Sequence, residues 1–228
     1  MTTGPDRERN PDRTREAILD AAERLFARQG YDATSLSQVG KAAGVSRGTP
    51  GYFFGSKAEL YRAVLERCFG EVHGAVRSGR DRALASGEGP EVVLAGAVSE
   101  YFDFLVARPN FVRLLERQAL GGNGALPNAP AHIQAGREAL AALAQELGLD
   151  PGPSGEAAQL LLSIVALCWF PVVHAGIIAP ALGVDLGGPE AVERRKRHVI
   201  ELVLHGVHGR AVAAGDQRMA DSEHLRTP

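Results

Sequence analysis

The sequence predicts an all-α protein, and three observations carry that prediction. Apolar residues recur at three- and four-residue spacing along most of the chain. Ser, Thr or Asp can open the first four of these runs, and Gly closes the first two. No alternating run of β-branched residues bounded by turn pairs is present. The 228 residues, 45% apolar and 23% charged, have the balance of a soluble globular protein and are too apolar for a disordered chain.

Taken in order, Asp12 or Thr14 can cap a first helix whose stripe is Ile18, Ala22, Leu25 and Phe26. Gly30 ends it in the manner of a left-handed residue after a helix C-terminus. Thr34 or Ser35 opens a second, short helix with Leu36 and Val39 inward, and Gly44 closes it. Ser46 opens a third, running to about Phe53. Ser56 caps a fourth along Leu60, Val64, Cys68 and Val72, which can run to Gly79. SGEGP (86–90) is a turn, a helix follows over 91–107, and Pro109 fits the first turn of the next. GGNGALPNAP (121–130) reads as a loop. Helical patterns return over 131–147, 154–179 and 189–213, and the polar tail after that is expected to fray.

Net charge is −2, so any nucleic-acid reading must rest on local charge. Two distant cysteines, Cys68 and Cys168, make no disulfide framework and favour a reducing cytoplasm. The charged start, MTTGPDRERNPDRTRE, has no apolar core of a signal peptide. The stretch 157–184 carries no charge and is long enough to cross a bilayer. Gln159, Ser163, Pro171 and His174 interrupt it, and no basic cluster flanks it closely. We therefore expect a helix buried in a bundle or subunit interface, and no membrane partner.

Chemistry concentrates in residues 35–54. Two short helices joined by a Gly-containing turn, the second opening on Ser, have the form of a helix-turn-helix, whose second helix enters the DNA major groove. Between Asp32 and Glu59 the chain has Lys41, Arg47 and Lys57 and no acid, as a phosphate-facing surface requires. Gly48 and Gly51 keep the exposed face low, and Pro50 sits where its missing N–H costs least. Arg47, Thr49 and Tyr52 are left to project, while Phe53 and Phe54 anchor the helix.

Residues 13–65 resemble the DNA-binding domain of the TetR family of bacterial transcriptional repressors. The stretch GYDATSLSQVGKAAGVSRGTPGYFFGSKAELYRAVL carries Gly-Tyr before a Thr-Ser helix start, Ala-Gly-Val-Ser at the turn, an aromatic cluster ending in Phe54, then Ser-Lys and Glu-Leu-Tyr. It departs at Pro50-Gly51, where the family has an aliphatic residue and then Tyr, which leaves the operator sequence open. The resemblance implies that Thr34, Ser35 and Lys57 hold phosphates. It makes Arg47, Thr49 and Tyr52 candidates for base edges, with Ser46 and Gly48 at the same surface. For Thr34 and Ser46, a role as a cap alone stays open.

The implied organisation is a disordered arm (1–12), a three-helix helix-turn-helix domain (13–60), a helical effector-binding and dimerisation domain (61–213) joined through the long fourth helix, and a flexible tail (214–228). Val192, Val199, Ile200, Val203 and Val207 form a stripe on the last helix. With Leu161 and Val165 of the uncharged helix, they are the candidate dimer interface. Tyr101, Phe102 and Phe111 form one aromatic group and Trp169, Phe170 and His174 another, the candidate contacts of a lipophilic effector of unknown identity. ERRKRH (193–198) reads as the solvated face of an amphipathic helix. His205 and His208 lack a third ligand, so no metal or cofactor is expected.

The expected function is a homodimeric cytoplasmic repressor on an inverted-repeat operator, released by its effector. A DNA-binding regulator without effector is the alternative. An all-α enzyme finds no phosphate loop, metal spacing or catalytic constellation to support it.

Overall fold

The computed structural model describes residues 10–120, 130–152 and 154–224, the side chains of 130, 131 and those past Val207 excepted. Every regular element among them is a helix: α1 (Pro11–Gln29), α2 (Leu36–Ala42), α3 (Thr49–Phe54), α4 (Lys57–Ala85), α5 (Pro90–Ala107), α6 (Pro109–Leu120), α7 (Pro130–Leu147), α8 (Glu156–Leu182) and α9 (Pro189–His224). The expected 121–130 loop falls almost wholly outside the described residues.

Several helix ends differ from expectation. Helix α1 starts at an Asn10 cap whose side chain accepts from the Asp12 amide, with Pro11 in the first turn, rather than at Asp12 or Thr14. Gly30 has φ +85° and ψ 173°, so the chain leaves α1 with positive φ but in an extended arm, not the left-handed helical well. Helix α4 passes Gly79, because that glycine serves packing. A β-carbon there would lie 2.6 Å from the Gly96 carbonyl oxygen, so Gly79 lets α4 and α5 approach backbone to backbone. Helix α9 continues to His224, past the expected end of its helical pattern at 213, since Gly215 alone does not stop a helix.

The described chain forms two compact units that do not follow linear order. The first takes residues 1–73 and 107–137, the second 74–106 and 138–228. The boundary thus falls inside α4, well beyond residue 60, and α6 joins the N-terminal helices. The core of the first unit runs from Ile18, Leu19, Ala22 and Phe26 of α1 through Val39 to Leu60, Val64, Leu65 and Cys68 of α4, with Phe111 and Leu114 of α6. In the second unit the buried rows are Leu94, Val98, Phe102 and Leu105 of α5, Ala157, Leu160, Ile164 and Cys168 of α8, and Val199 and Val203 of α9.

Helix α8 is long and apolar enough to cross a membrane, with mean hydropathy 2.2. It runs through Pro171 and Pro180. Within one chain only that single row is buried, so it is not enclosed on all sides. Leu162 (63%), Phe170 (50%), Ile177 (72%) and Leu182 (68%) stand exposed along it.

Candidate nucleic-acid interface

Local chemistry explains why the helix-turn-helix forms. Ser35 and Gln38 make a reciprocal box at the start of α2: the Gln38 amide donates to Ser35 Oγ (3.2 Å) and the Ser35 amide to Gln38 Oε1 (2.8 Å). Ser56 and Glu59 do the same for α4, at 3.1 and 3.0 Å. Between α2 and α3, Gly44 supplies φ +70° for the turn.

The close approach of α3 depends on a glycine that its sequence position did not reveal. Gly40 is buried, and a β-carbon on it would lie 2.7 Å from the Ser46 carbonyl oxygen and 3.3 Å from Pro50 Cδ. Gly51 differs: its β-carbon would meet only Leu36 Cδ1, at 3.8 Å, so it faces α2 rather than opening an outer surface. Gly48 does lie on open surface, with nothing within 4 Å.

Helix α3 starts at Thr49, with Gly48 before it and no side-chain cap. Ser46, three residues upstream, therefore does not cap it. The Ser46 hydroxyl instead lies 2.7 Å from that of Thr49, in the turn leading into the helix. Arg47 is exposed and makes no ion pair among the described residues. Tyr52 is 86% exposed, its ring edge-on to Phe53. Phe53 and Phe54 are half-buried rather than core, and the Arg15 guanidinium sits 5.2 Å over the Phe54 ring.

Two expected phosphate holders have internal work. Thr34 is 2% exposed; its hydroxyl donates to the Gly30 carbonyl (2.8 Å) and accepts from Gln29 Nε2 (3.2 Å). That hydroxyl locks the α1–α2 turn and is not presented to a phosphate. Lys57 Nζ donates to the Tyr31 carbonyl (3.0 Å) and lies 4.3 Å over the Tyr31 ring, tying the start of α4 to the same turn. Ser35 remains exposed beside its capping bonds. Arg47, Lys41 and Tyr52 are the outward groups of the acid-free window.

Behind this surface lies a charge network that sequence reasoning missed. Glu23, 6% exposed, accepts from Arg67 (2.6 Å) and Arg108 (3.2 Å). Arg67 also reaches Asp20 (2.7 Å) and Glu16 (3.2 Å), and Arg108 reaches Glu71 (2.5 Å). Burial pushes the Glu71 carboxyl up, against the pull of Arg108 and Arg67. Burial beside Glu23 pushes the Cys68 thiol up to about 12. From α6, Arg117 donates to the carbonyls of Ala27 (3.0 Å) and Arg28 (2.8 Å), satisfying the end of α1. The Tyr61 hydroxyl donates to Gln118 (3.0 Å). None of these partners is near in sequence, so no local pattern announced them.

The C-terminal candidates divide. Phe111 belongs to the first unit, edge-on to Phe69 at 5.5 Å, whereas Tyr101 and Phe102 belong to the second. Tyr101 and Trp169 are half-buried and Phe102 is core. Phe170 faces outward, with its ring 4.8 Å from that of His174. Val199 (0%) and Val203 (4%) are buried within their own unit and therefore cannot face a second subunit. Leu161, Val192, Ile200 and Val207 are half-buried, and Val165 is exposed.

Comparison with known proteins places these features. Residues 18–64 match the bacterial regulatory proteins of the tetR family, and residues 90–203 match the tetracyclin repressor-like C-terminal domain. The chain is 27% identical over 213 residues to the HTH-type transcriptional repressor NicS of Pseudomonas putida, covering 88% of this chain and 95% of that one. A TetR family transcription regulator from Marinobacter aquaeolei superposes with TM-score 0.65 at 22% identity, over 83% of this chain and 95% of the other. FadR of Bacillus subtilis, solved in complex with stearoyl-CoA, gives TM-score 0.65 at 17% identity, over 84% and 98%.

Proposed function

The chain belongs to the TetR family of bacterial transcriptional regulators, and from that premise we propose that it is a homodimeric repressor released from an inverted-repeat operator by a small lipophilic effector. Its relatives are transcriptional regulators rather than enzymes. The observation that carries the reading is the acid-free surface of residues 33–58. There Arg47, Lys41, Ser35, Thr49 and Tyr52 are presented around a helix held close by Gly40.

Ser35, Lys41 and Arg47 would hold phosphates, and Arg47, Thr49 and Tyr52 at the start of α3 would reach base edges. With Gly51 facing α2, the readout relies on fewer side chains than the family pattern supplies.

The exposed row Leu162, Val165, Phe170 and Ile177 on α8, with Leu202 on α9, supports a second copy of the chain as the cover for this face. Such a dimer would set two α3 helices about 34–36 Å apart, one turn of DNA. NicS is a repressor, and FadR binds an acyl-CoA; both support a ligand-released repressor. An effector acts by preferring the conformation with the wrong groove spacing. Helix α4, continuous from one unit into the other, is the natural carrier of that change.

The test is to retain fragments of the source genome on purified protein at moderate salt with competitor DNA, and then to screen for compounds that release them. A shared inverted repeat with half-sites one helical turn apart is expected. Retention without any shared site would overturn the specific-regulator reading. Failure of every compound to release a genuine operator would favour a regulator without effector.

A further inference from the structure

Helix α1 ends on carbonyls that its own exit turn does not fully satisfy. The Gly30 amide donates to the Phe26 carbonyl (2.9 Å), and the chain then leaves in an extended direction. The next two carbonyls take their donors from α6. Arg117 Nε donates to Ala27 (3.0 Å) and Nη2 to Arg28 (2.8 Å), while Nη1 lies against Gly30, 3.6 Å from where a β-carbon would stand. A guanidinium fork on two consecutive carbonyls at the negative end of a helix is matched in direction and in charge.

The turn that follows is held in the same manner. The Thr34 hydroxyl donates to the Gly30 carbonyl (2.8 Å), Lys57 Nζ to that of Tyr31 (3.0 Å) and Gln29 Nε2 to that of Ala33 (2.8 Å). Helix α6 has a second hold here. Phe111, Leu114 and Gln118 share one of its faces, at i, i+3 and i+7. The first two are buried, and Gln118 accepts from the Tyr61 hydroxyl (3.0 Å). The Tyr61 ring packs edge-on against Phe26 of α1 (4.9 Å) and Tyr31 of the turn (5.1 Å).

This turn sets the reading surface. Ser35 caps α2 directly after Thr34, and Gly40 lets α3 sit close against α2. A displacement of the turn therefore carries Arg47, Thr49 and Tyr52 with it. Arg117 itself lies outside the acid-free window of residues 33–58.

We propose that Arg117 is a positioning residue for operator binding: from α6 it holds the end of α1, and so the α1–α2 turn, where the α2–α3 surface is in register with DNA. The guanidinium that covers the two carbonyls is itself exposed. Water can thus satisfy them in its absence, but water does not fix where they stand. Loss of Arg117 costs register more than stability. The inference rests on the reading of residues 33–58 as the DNA surface and adds a residue outside that surface which sets it.

The experiment measures full-length wild type, Arg117→Met and Arg117→Lys on two duplexes over a range of salt. One is the operator fragment retained from the source genome, the other a random-sequence duplex of equal length. Arg117→Met keeps the apolar stem and loses every donor. Its operator affinity is expected to fall about 10-fold, the order of one lost charge-assisted bond. Its affinity for the random duplex, and the salt slope there, are expected to hold, because that binding reads phosphates alone. Arg117→Lys keeps the charge but loses the fork, and should recover part of the operator affinity. Hydrogen exchange in Arg117→Met should quicken over residues 30–43 and stay unchanged over α5.

Unchanged operator affinity in Arg117→Met with a lowered melting temperature makes the residue merely structural and overturns the proposal. So does a parallel fall on both duplexes with a salt slope flatter by about 0.9, which makes Arg117 a phosphate contact. If Arg117→Met does not fold, Arg117→Lys is read with Tyr61→Phe, which removes the bond to Gln118. Unchanged operator affinity in both then overturns the proposal. Wild-type protein with no operator preference strikes the regulator reading and this inference together, whereas a preference that survives every variant strikes this inference alone.

Discussion

In the N-terminal unit, polar side chains fasten one backbone segment to another. Lys57 reaches the Tyr31 carbonyl, Arg117 the carbonyls ending α1, Thr34 the Gly30 carbonyl, and Arg67 and Arg108 converge on Glu23. In the C-terminal unit, apolar rows on α5, α8 and α9 make the core, and the ion pairs of Arg80, Arg82 and Lys196 lie at its margin. Directional bonds fix position more tightly than hydrocarbon contact does. On the proposed function, a unit that presents Arg47 and Tyr52 in register gains from them, while a unit that rearranges around a ligand gains from their scarcity.

The most disruptive way to break the contrast is Arg67→Ala, which leaves the buried Glu23 carboxylate with Arg108 as its one cation, beside the weak thiol bond of Cys68. We expect a loss of about 3 kcal/mol, read by urea denaturation. Gly40→Val comes next, at about 1–3 kcal/mol, because its side chain meets the Ser46 carbonyl rather than a movable group. Gly79→Val meets the Gly96 carbonyl in the same way and should cost a similar amount. The two differ in DNA binding: operator affinity of the folded protein falls with Gly40→Val and holds with Gly79→Val, as a gel-shift titration would show.

Arg47→Ala should leave stability within about 0.5 kcal/mol while removing about 1–3 kcal/mol of operator discrimination. The smallest effect is Gly51→Ala. With only Leu36 Cδ1 at 3.8 Å, the added methyl has room, and helix propensity should raise stability by up to about 1 kcal/mol. A melting-temperature decrease would show that α3 needs Gly51 for a reason beyond packing.

What was legible in the sequence follows the same division. The caps Ser35 and Ser56 and the turn glycine Gly44 act within a few residues, so local spacing exposed them. The rest turns on contacts that residue spacing does not encode. Thr34 and Lys57 both tie the α1–α2 turn, Thr34 through the nearby Gly30 and Gln29 and Lys57 through the distant Tyr31. Gly79 looked like a helix stop because a close helix crossing leaves no local pattern. Val199 and Val203 formed an apolar stripe without saying whether their own chain or another would cover it. In ERRKRH, Arg194, Arg197 and His198 are solvated as expected, but Lys196 turns to Asp103 and Arg195 toward the interior, a rotation that only packing reveals.

The central claim is that the acid-free surface of residues 33–58 carries the DNA. Its most direct test is the slope of log affinity against log salt for an operator fragment. Each phosphate neutralised contributes about 0.9 to that slope. Replacing Lys41 and Arg47 together by Ala should flatten it by up to about 1.8, while Arg113→Ala, on an exposed position of α6, should leave it unchanged. An unaltered slope in the double variant, or an equal change from Arg113→Ala, would contradict the account.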